Sequence, residues 1–507
     1  MLDTLARDFR AIAPAVDFCA LRFMEETSEL LTVRQDIAEP PRTSIDRGAM
    51  LTVIHRGGLG YAATSDLTPS GLRAAAARAV RLAGLTAGRS VVDYGSVAMP
   101  RPKGRYAGPT GDDPARLTRR EKLELLAQEA RHCRIDARIV DWEASLWTTR
   151  TRQAYFTADG AEVEQEFRYL VPNLSATAHA RGETQTRTRG GRDNGYCRQG
   201  GLEILDSFGL EGSGRSVAEG ALELLAAPNC PAGKMDVLLM PDQMMLQIHE
   251  SIGHPLELDR ILGDERNFAG TSFVTLDMFG AYRYGSELLD VTFDPARRQE
   301  YASYGWDDDG LPAERRHLIR KGILERPLGG AISQARAGIA GVANTRACAW
   351  NRAPIDRMAN LNVEPGASTL DELVAAIDFG VMMRTNGSWS IDDSRNKFQF
   401  GCEWGRVIRG GRLAEVVKSA STGARSARPR PCCRPAGRSR WCATAAVPKP
   451  PPRCRARPAR TGRRSRRCSP RFARTSARRR SIPTSSCPTR RRAPSASRRE
   501  RSPTPPS

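Results

Sequence analysis

The chain predicts an α+β fold: an N-terminal α/β sandwich-like domain, a mostly β domain embedding one histidine-bearing helix, and a disordered basic tail. Three observations carry this prediction. The first half alternates strand-like runs and two-residue turns with amphipathic helical stretches, the pattern of sheets built from neighbouring strands. After about residue 227 short strands and turns dominate. Beyond residue 418 the composition changes abruptly. The boundaries that follow are 1–226, 227–418 and 419–507.

Residues 17–90 read as strands followed by a helix. The runs DFCALRF, ELLTVRQ, AMLTVIHR and LGYAAT are strand-like, and Gly57-Gly58 supplies a hairpin turn. A helix follows Thr68-Pro69-Ser70, with Leu72, Ala75, Ala76, Val80 and Leu82 on its apolar face. Residues 90–116 are Pro- and Gly-rich and form a connection. Thr118 to Cys133 is an amphipathic helix rich in Arg, Lys and Glu. Strand-like runs return at 137–148, 151–157 and 162–182, with Asp159-Gly160 as a further turn. Residues 183–201 are polar and Gly-rich, either a mobile loop or a strand approaching a ligand. A helix carrying Val217, Ala221, Leu222 and Leu225 closes this half. The glycines between Gly209 and Gly214 are not followed by the Gly-Lys-Ser/Thr of a phosphate loop, which excludes that function.

The second half is organised around Pro241–Phe273. Val237-Leu238-Leu239-Met240 reads as a buried strand, and Pro241-Asp242 starts a helix with Met244, Met245, Ile248 and Ile252 at helical spacing. His249-Glu250-Ser251-Ile252-Gly253-His254 follows, using two of only six histidines. Imidazole is a common zinc ligand, and an adjacent carboxylate can accept a proton. The spacing needs an account. Four residues apart on a regular helix, two histidines differ by about 40° around the axis; five apart, they differ by about 140° and cannot share an ion. The sequence offers two remedies. Gly253 tolerates a left-handed, helix-ending conformation while Pro255 pushes His254 toward extended geometry. Alternatively, a local π-bulge brings the rings together. Past residue 273 short strands and turns are expected, with one helix at about 370–378.

These residues carry a resemblance. HESIGHPLELDRILGDERNFAGTSF resembles the signature of the TldD/PmbA family of metallopeptidases, as do Ser388–Asp392 with Asn396–Phe400, and Gln299–Asp309 with Gly310. The similarity spans roughly 15–418. It implies a zinc-dependent peptidase with His249 and His254 as metal ligands and Glu250 as general base. The implied substrate is a peptide or unfolded segment bound as an added strand. Ala269–Phe273 either lines such a groove or is a plain turn into a strand. The resemblance also implies a homodimer, or a heterodimer with a related subunit that lacks the motif. In the family pattern a third ligand is a Cys in an Asn-Cys-Gly-Lys-like segment near the C-terminus. No such segment occurs here. Cys432, Cys433 and Cys442 lie in the right region but in unlike surroundings, so an inactive or structural subunit is the alternative reading.

The tail explains the charge. Of 78 Lys and Arg, 26 lie beyond residue 418, with one acid, Glu500; the first 418 residues hold 52 basic and 56 acidic side chains. The formal +21 therefore belongs to residues 419–507, which also hold 15 of 33 prolines and six of twelve cysteines. With so few apolar side chains this segment cannot offset its ordering entropy and is expected to be disordered. Three origins compete: a nucleic-acid-binding extension, a solvated charge tail, or a frame-shifted reading of a GC-rich gene. The abrupt change after Glu415-Val416-Val417-Lys418 favours the last. Only Trp441 and Phe472 offer rings for base stacking, so nucleic acid is expected to bind only non-specifically through the tail.

Cys19, Cys133, Cys197, Cys230, Cys348 and Cys402 show no C-x-x-C spacing and read as reduced core residues. The N-terminal stretch mixes charges and lacks the apolar core of a secretory signal, and no run reaches the length of a membrane span. A cytoplasmic protein is expected.

Overall fold

Phe18–Arg34 and Ile139–Thr157 are the two central strands of a nine-stranded sheet, each more than twice as long as an average strand. The computed structural model describes residues 1–192, 195–425, 431–432 and 443–445. The runs DFCALRF and ELLTVRQ form one strand rather than two. Met24 to Ser28 between them is polar but pairs on both edges, Met24 opposite Gly48 and Gln153, so main-chain bonds hold the polar stretch extended. The same holds for 137–148 and 151–157, which join as Ile139–Thr157. Across the sheet the order is Gly58–Thr64, Arg42–His55, Phe18–Arg34, Ile139–Thr157, Glu162–Ala180 and Lys103–Ala107. Neighbours are antiparallel except the last pair, which is parallel. Glu183–Arg189 extends Glu162–Ala180, so the first part of the polar 183–201 stretch is a strand.

Strand alternation puts Cys19, Leu21, Phe23, Leu31 and Val33 on one face. Helices Leu2–Ile12 and Pro69–Thr86 cover one end of that face, and Arg119–Arg131 with Ser213–Ala226 covers the other. Thr68 caps its helix through the Gly71 N–H, and Thr118 with Glu121 forms a capping box. Leu2–Ile12 is a helix that the sequence reading passed over. It buries Leu2, Leu5, Ala6 and Phe9 while Asp3, Arg7, Asp8 and Arg10 occupy the remaining positions.

The opposite face receives the second half of the chain. Phe18, Ala20, Tyr155 and Val163 form a cluster against which Trp306 packs. Gln165 clamps this segment: Oε1 accepts the Gly305 and Trp306 N–H groups at 3.0 and 3.1 Å, and Nε2 donates to Trp306 O at 2.9 Å. Arg22, buried in the sheet, pairs with Asp308 at 3.2 Å and donates to Arg352 O at 2.6 Å. A buried guanidinium satisfied this way locks the two halves in register.

In the second half, Asp236–Leu239 lies parallel to Phe379–Ile391, which continues antiparallel to Lys397–Arg409 and then Arg412–Val417. A four-stranded sheet of Ile323–Leu324, Arg316–Arg320, Val291–Phe293 and Leu361–Val363 stands apart from it. Leu239, Met244, Ile252 and Leu256 share one core with Val291, Phe293, Leu318 and Val381, which embeds the histidine-bearing helix as expected. The helix expected at 370–378 is Leu370–Ala375, and Ala331–Ala337 adds another, ended by Gly338 at φ 66°. The sheet also continues past residue 418. Ser421–Arg425 pairs with Lys397–Gly401, because these small and polar residues precede the dense arginines and pair through the main chain. The tail expected to be disordered otherwise lies outside the described residues, apart from Pro431–Cys432 and Ala443–Ala445, which are strands. Among the described residues no helix is long and apolar enough to cross a membrane.

Candidate metal centre

Strand Asp236–Leu239 hands over to helix Pro241–Ile248 at Met240, with Pro241 at the first helical position where its missing N–H costs nothing. The helix then widens. His249–Gly253 is a π-turn in which the His254 N–H donates to His249 O, five residues back. Of the two remedies, the bulge is therefore the one that forms. Gly253 is not left-handed (φ −60°, ψ −66°), and His254 is helical rather than extended (φ −57°, ψ −38°). Gly253 serves close packing instead: a Cβ there would sit 1.8 Å from Met358 Sδ and 3.0 Å from Leu361 Cδ1. Pro255 cannot donate back to Ser251 O, and the Tyr284 hydroxyl supplies that bond.

The wide turn brings the rings of His249 and His254 to 4.7 Å between centroids, nearly perpendicular at 83°. One ligand atom each from His249, Glu250 and His254 lies within 4.8 Å of the others. The donor chemistry fits a divalent metal. His254 Nδ1 lies 2.8 Å from Glu257 Oε2, so Nδ1–H donates to the carboxylate and the Nε2 lone pair is left for an ion. Burial alone would raise the Glu257 carboxyl, but the His254 hydrogen bond and the Arg260 guanidinium outweigh it and hold it low. His249 is exposed at the surface of this turn. Desolvation by the atoms packed near the ring, then the His254, Arg346 and Arg395 charges, lowers its pKa to about 4 against the pull of Glu257, which keeps the imidazole neutral and able to ligate. Glu250 is buried, and Arg395 Nη1 donates to its Oε2 at 2.6 Å. Among the described side chains no cysteine joins this group; Cys19, Cys133, Cys197, Cys230, Cys348 and Cys402 are free thiols elsewhere. The side chain of Cys432, and Cys433 and Cys442 entirely, lie outside what the structure describes.

Sequence profiles of three PmbA/TldA metallopeptidase domains match the chain in order: domain 1 at 19–83, the central domain at 112–225 and the C-terminal domain at 232–423. The chain belongs to the PmbA/TldD family. It is 26% identical over 421 residues to a metalloprotease from Methanothermobacter thermautotrophicus, covering 83% of this chain and 87% of that one. A zinc metalloprotease TldD homolog from Saccharolobus solfataricus is 25% identical over 217 residues, 43% of this chain and 46% of its own. The crystal structure of TldE from Thermococcus kodakarensis superposes with a TM-score of 0.63 at 13% identity, covering 88% of this chain and 98% of that one.

Within this PmbA/TldD fold the other quoted stretches support the centre. Ser388–Asp392 and Asn396–Phe400 flank a hairpin turn in which Asp392 Oδ1 accepts the Asn396 and Lys397 N–H groups. The turn puts Arg395 at φ 62° and delivers its guanidinium to Glu250. The sequence reading quoted both flanks and missed Arg395 between them. It likewise missed Glu257, three residues after His254. Ala269–Phe273 runs as an irregular brace, not a strand: Ala269 O accepts from Arg395 and Thr271 N–H donates to Asp393 O. Beside the centre lies a cleft of about 800 Å³. Met245 and Ile248, on the helix just before His249, form part of its wall, as do Tyr301 and Leu361. Neither histidine lines it, nor does any residue of Ala269–Phe273.

Proposed function

We propose that this chain is a zinc-dependent peptidase acting on peptides or unfolded segments. The observation that carries the reading is the π-turn that converges His249, Glu250 and His254 within 4.8 Å. His249 and His254 would hold the ion through neutral imidazoles. Zinc held there supplies a Lewis acid that polarises a peptide carbonyl and makes water acidic enough to ionise near neutral pH. Glu250 acts as general base; Arg395 fixes Oε2, leaving Oε1 to receive the proton and pass it to the leaving amine. Glu257 holds the His254 ring in one tautomer. The neighbouring cleft of about 800 Å³ would take a peptide segment against the wall formed by Arg187–Arg189 and Leu361–Val363, with assembly as a homodimer or heterodimer.

One observation favours a second reading. With no cysteine beside the histidines among the described residues, the chain serves as an inactive or structural subunit if only two imidazoles anchor the metal. Zinc stoichiometry and peptidase activity of the full chain, its Glu250→Gln variant and its His249→Ala variant separate the two. The enzyme reading expects zinc in the wild type and in Glu250→Gln, hydrolysis only in the wild type, and loss of both in His249→Ala. Zinc content equal in wild type and His249→Ala removes the metal assignment, and undiminished hydrolysis by Glu250→Gln removes the base.

A further inference from the structure

The cleft beside the metal centre is cationic. Arg187, Arg189, Arg198 and Arg384 line it, against Asp242 and Glu300. Arg187 is neutralised by buried Glu403 at 3.0 Å, but Arg192 draws on the same carboxylate at 3.3 Å, so that group keeps a positive surplus. None of the other three arginines makes a direct ion pair with a carboxylate among the described residues, although the Arg198 charge acts on neighbouring Glu300. Arg189 gives Nε to Phe208 O at 2.7 Å and lies over the Phe208 ring. Arg198 donates to Cys197 O at 3.0 Å and stacks 4.8 Å above Tyr196. Arg384 lies over Trp404 at 5.9 Å. The two acids are already engaged. Asp242 accepts the Thr385 hydroxyl at 2.7 Å, and Glu300 accepts from Asn362 at 3.1 Å with Arg297 at 3.9 Å.

Aromatic faces and carbonyls thus orient Arg189 and Arg384 without consuming their charge, and Arg198 with only Glu300 to offset it in part. Arginines placed this way cost desolvation when the cleft fills, unless the occupant supplies anions. Arg189 stands on Glu183–Arg189, Arg384 on Phe379–Ile391 and Arg198 on Arg198–Gln199, so three strands bring positive charge to one cleft, which suits an occupant carrying more than one carboxylate.

We propose that this cleft selects peptides bearing acidic side chains, with Arg189, Arg198 and Arg384 pairing with their carboxylates. The inference rests on the peptidase reading for its consequence but not for its test, which measures binding alone. The probes are fluorescein-labelled decapeptides of equal length in which alternate residues are Glu, Gln or Lys. Anisotropy is read with the full chain, the Arg384→Gln variant, and the Arg198→Gln/Arg384→Gln variant. The basic tail is common to all three proteins, so the difference between them reports the cleft.

The expected result is Glu-peptide binding at least tenfold tighter than Gln-peptide, with that margin falling at least fivefold in the double variant at an unchanged melting temperature. Arg384 is exposed and makes only a ring contact, so Arg384→Glu provides a second test that keeps the fold. It should lose Glu-peptide and gain Lys-peptide affinity. An equal margin in wild type and double variant overturns the proposal. So does stronger competition by an oligodeoxynucleotide of matched charge that is equally sensitive to the cleft substitutions. Arginine-dependent binding without hydrolysis of any peptide would sink the peptidase reading and leave the cleft assignment standing. Hydrolysis indifferent to peptide charge, with no cleft-dependent margin, would do the reverse.

Discussion

Arg395 crosses from a strand-to-strand turn to Glu250, placing Nη1 2.6 Å from Oε2, while its Nη2 donates to Ala269 O at 2.9 Å. The carboxylate beside the histidines is therefore held by a residue nearly 150 positions later. Arg395→Ala should leave zinc content intact and lower kcat by about 100-fold, because an unanchored carboxylate samples unproductive rotamers. Arg395→Lys, which keeps the charge without the two-point grip, should recover part of that loss. Unchanged kcat in Arg395→Ala would remove the positioning role.

Glu257 supports His254 as Arg395 supports Glu250. Replacing it with Gln keeps an acceptor for Nδ1–H but removes the charge that also offsets Arg260. Zinc affinity should fall by about tenfold, the size of effect seen when such supporting carboxylates are changed. A competition titration against a chromogenic chelator reads this directly, and identical affinity would show the contact to be incidental.

Gly253 makes a steric prediction. A methyl group there would overlap Met358, so Gly253→Ala should cost about 1–3 kcal/mol and open the π-turn, with loss of zinc. Adding Met358→Ala makes room, so the double variant should regain zinc. A double variant that binds no zinc would mean the glycine acts through the backbone rather than through packing.

Asp259 sets a pH dependence for stability. Burial first, then the charges of Asp356 and Glu257, pushes its carboxyl up to about 9, and neither oxygen has a hydrogen-bond partner. The unfolded value is about 4, so the folded state holds the extra proton between the two and stability falls as pH rises through that window. Asp259→Asn should match the wild type near pH 4 and exceed it in melting temperature at pH 8, by on the order of 2 °C. Parallel melting curves at both pH values would contradict the assignment.

The sequence showed much of this because its strongest signals were local. The strand entering Pro241, the five-residue histidine spacing, the π-bulge alternative and the helix starts near Thr68 and Thr118 are all written within a few residues. What stayed hidden depends on distant pairing. Met24–Ser28 looks like a break between strands until Gly48 and Gln153 lie on either side of it. Gly253 looked like a helix stop because its conformational freedom can be seen in sequence, whereas the approach of Met358 cannot. Arg395 was one arginine among many, and only the hairpin that turns at Asp392 sends it to Glu250. Leu2–Ile12 was missed for a different reason: its charges drew notice before its apolar spacing.

The clamp of Gln165 on Trp306, with Arg22 on Asp308, has a consequence for how the protein is made. On the ribosome the strands through Ala180 emerge early and can pair at once. The face that carries Phe18, Ala20, Tyr155 and Val163 is then covered only in part, by Leu59, Tyr94 and Met99, and the Arg22 guanidinium lacks Asp308, until the Trp306–Asp308 segment leaves the exit tunnel. A nascent chain stalled between those points would present a half-covered β-surface bearing an unpaired charge. Such an intermediate is a natural client for a chaperone and a poor candidate for independent expression.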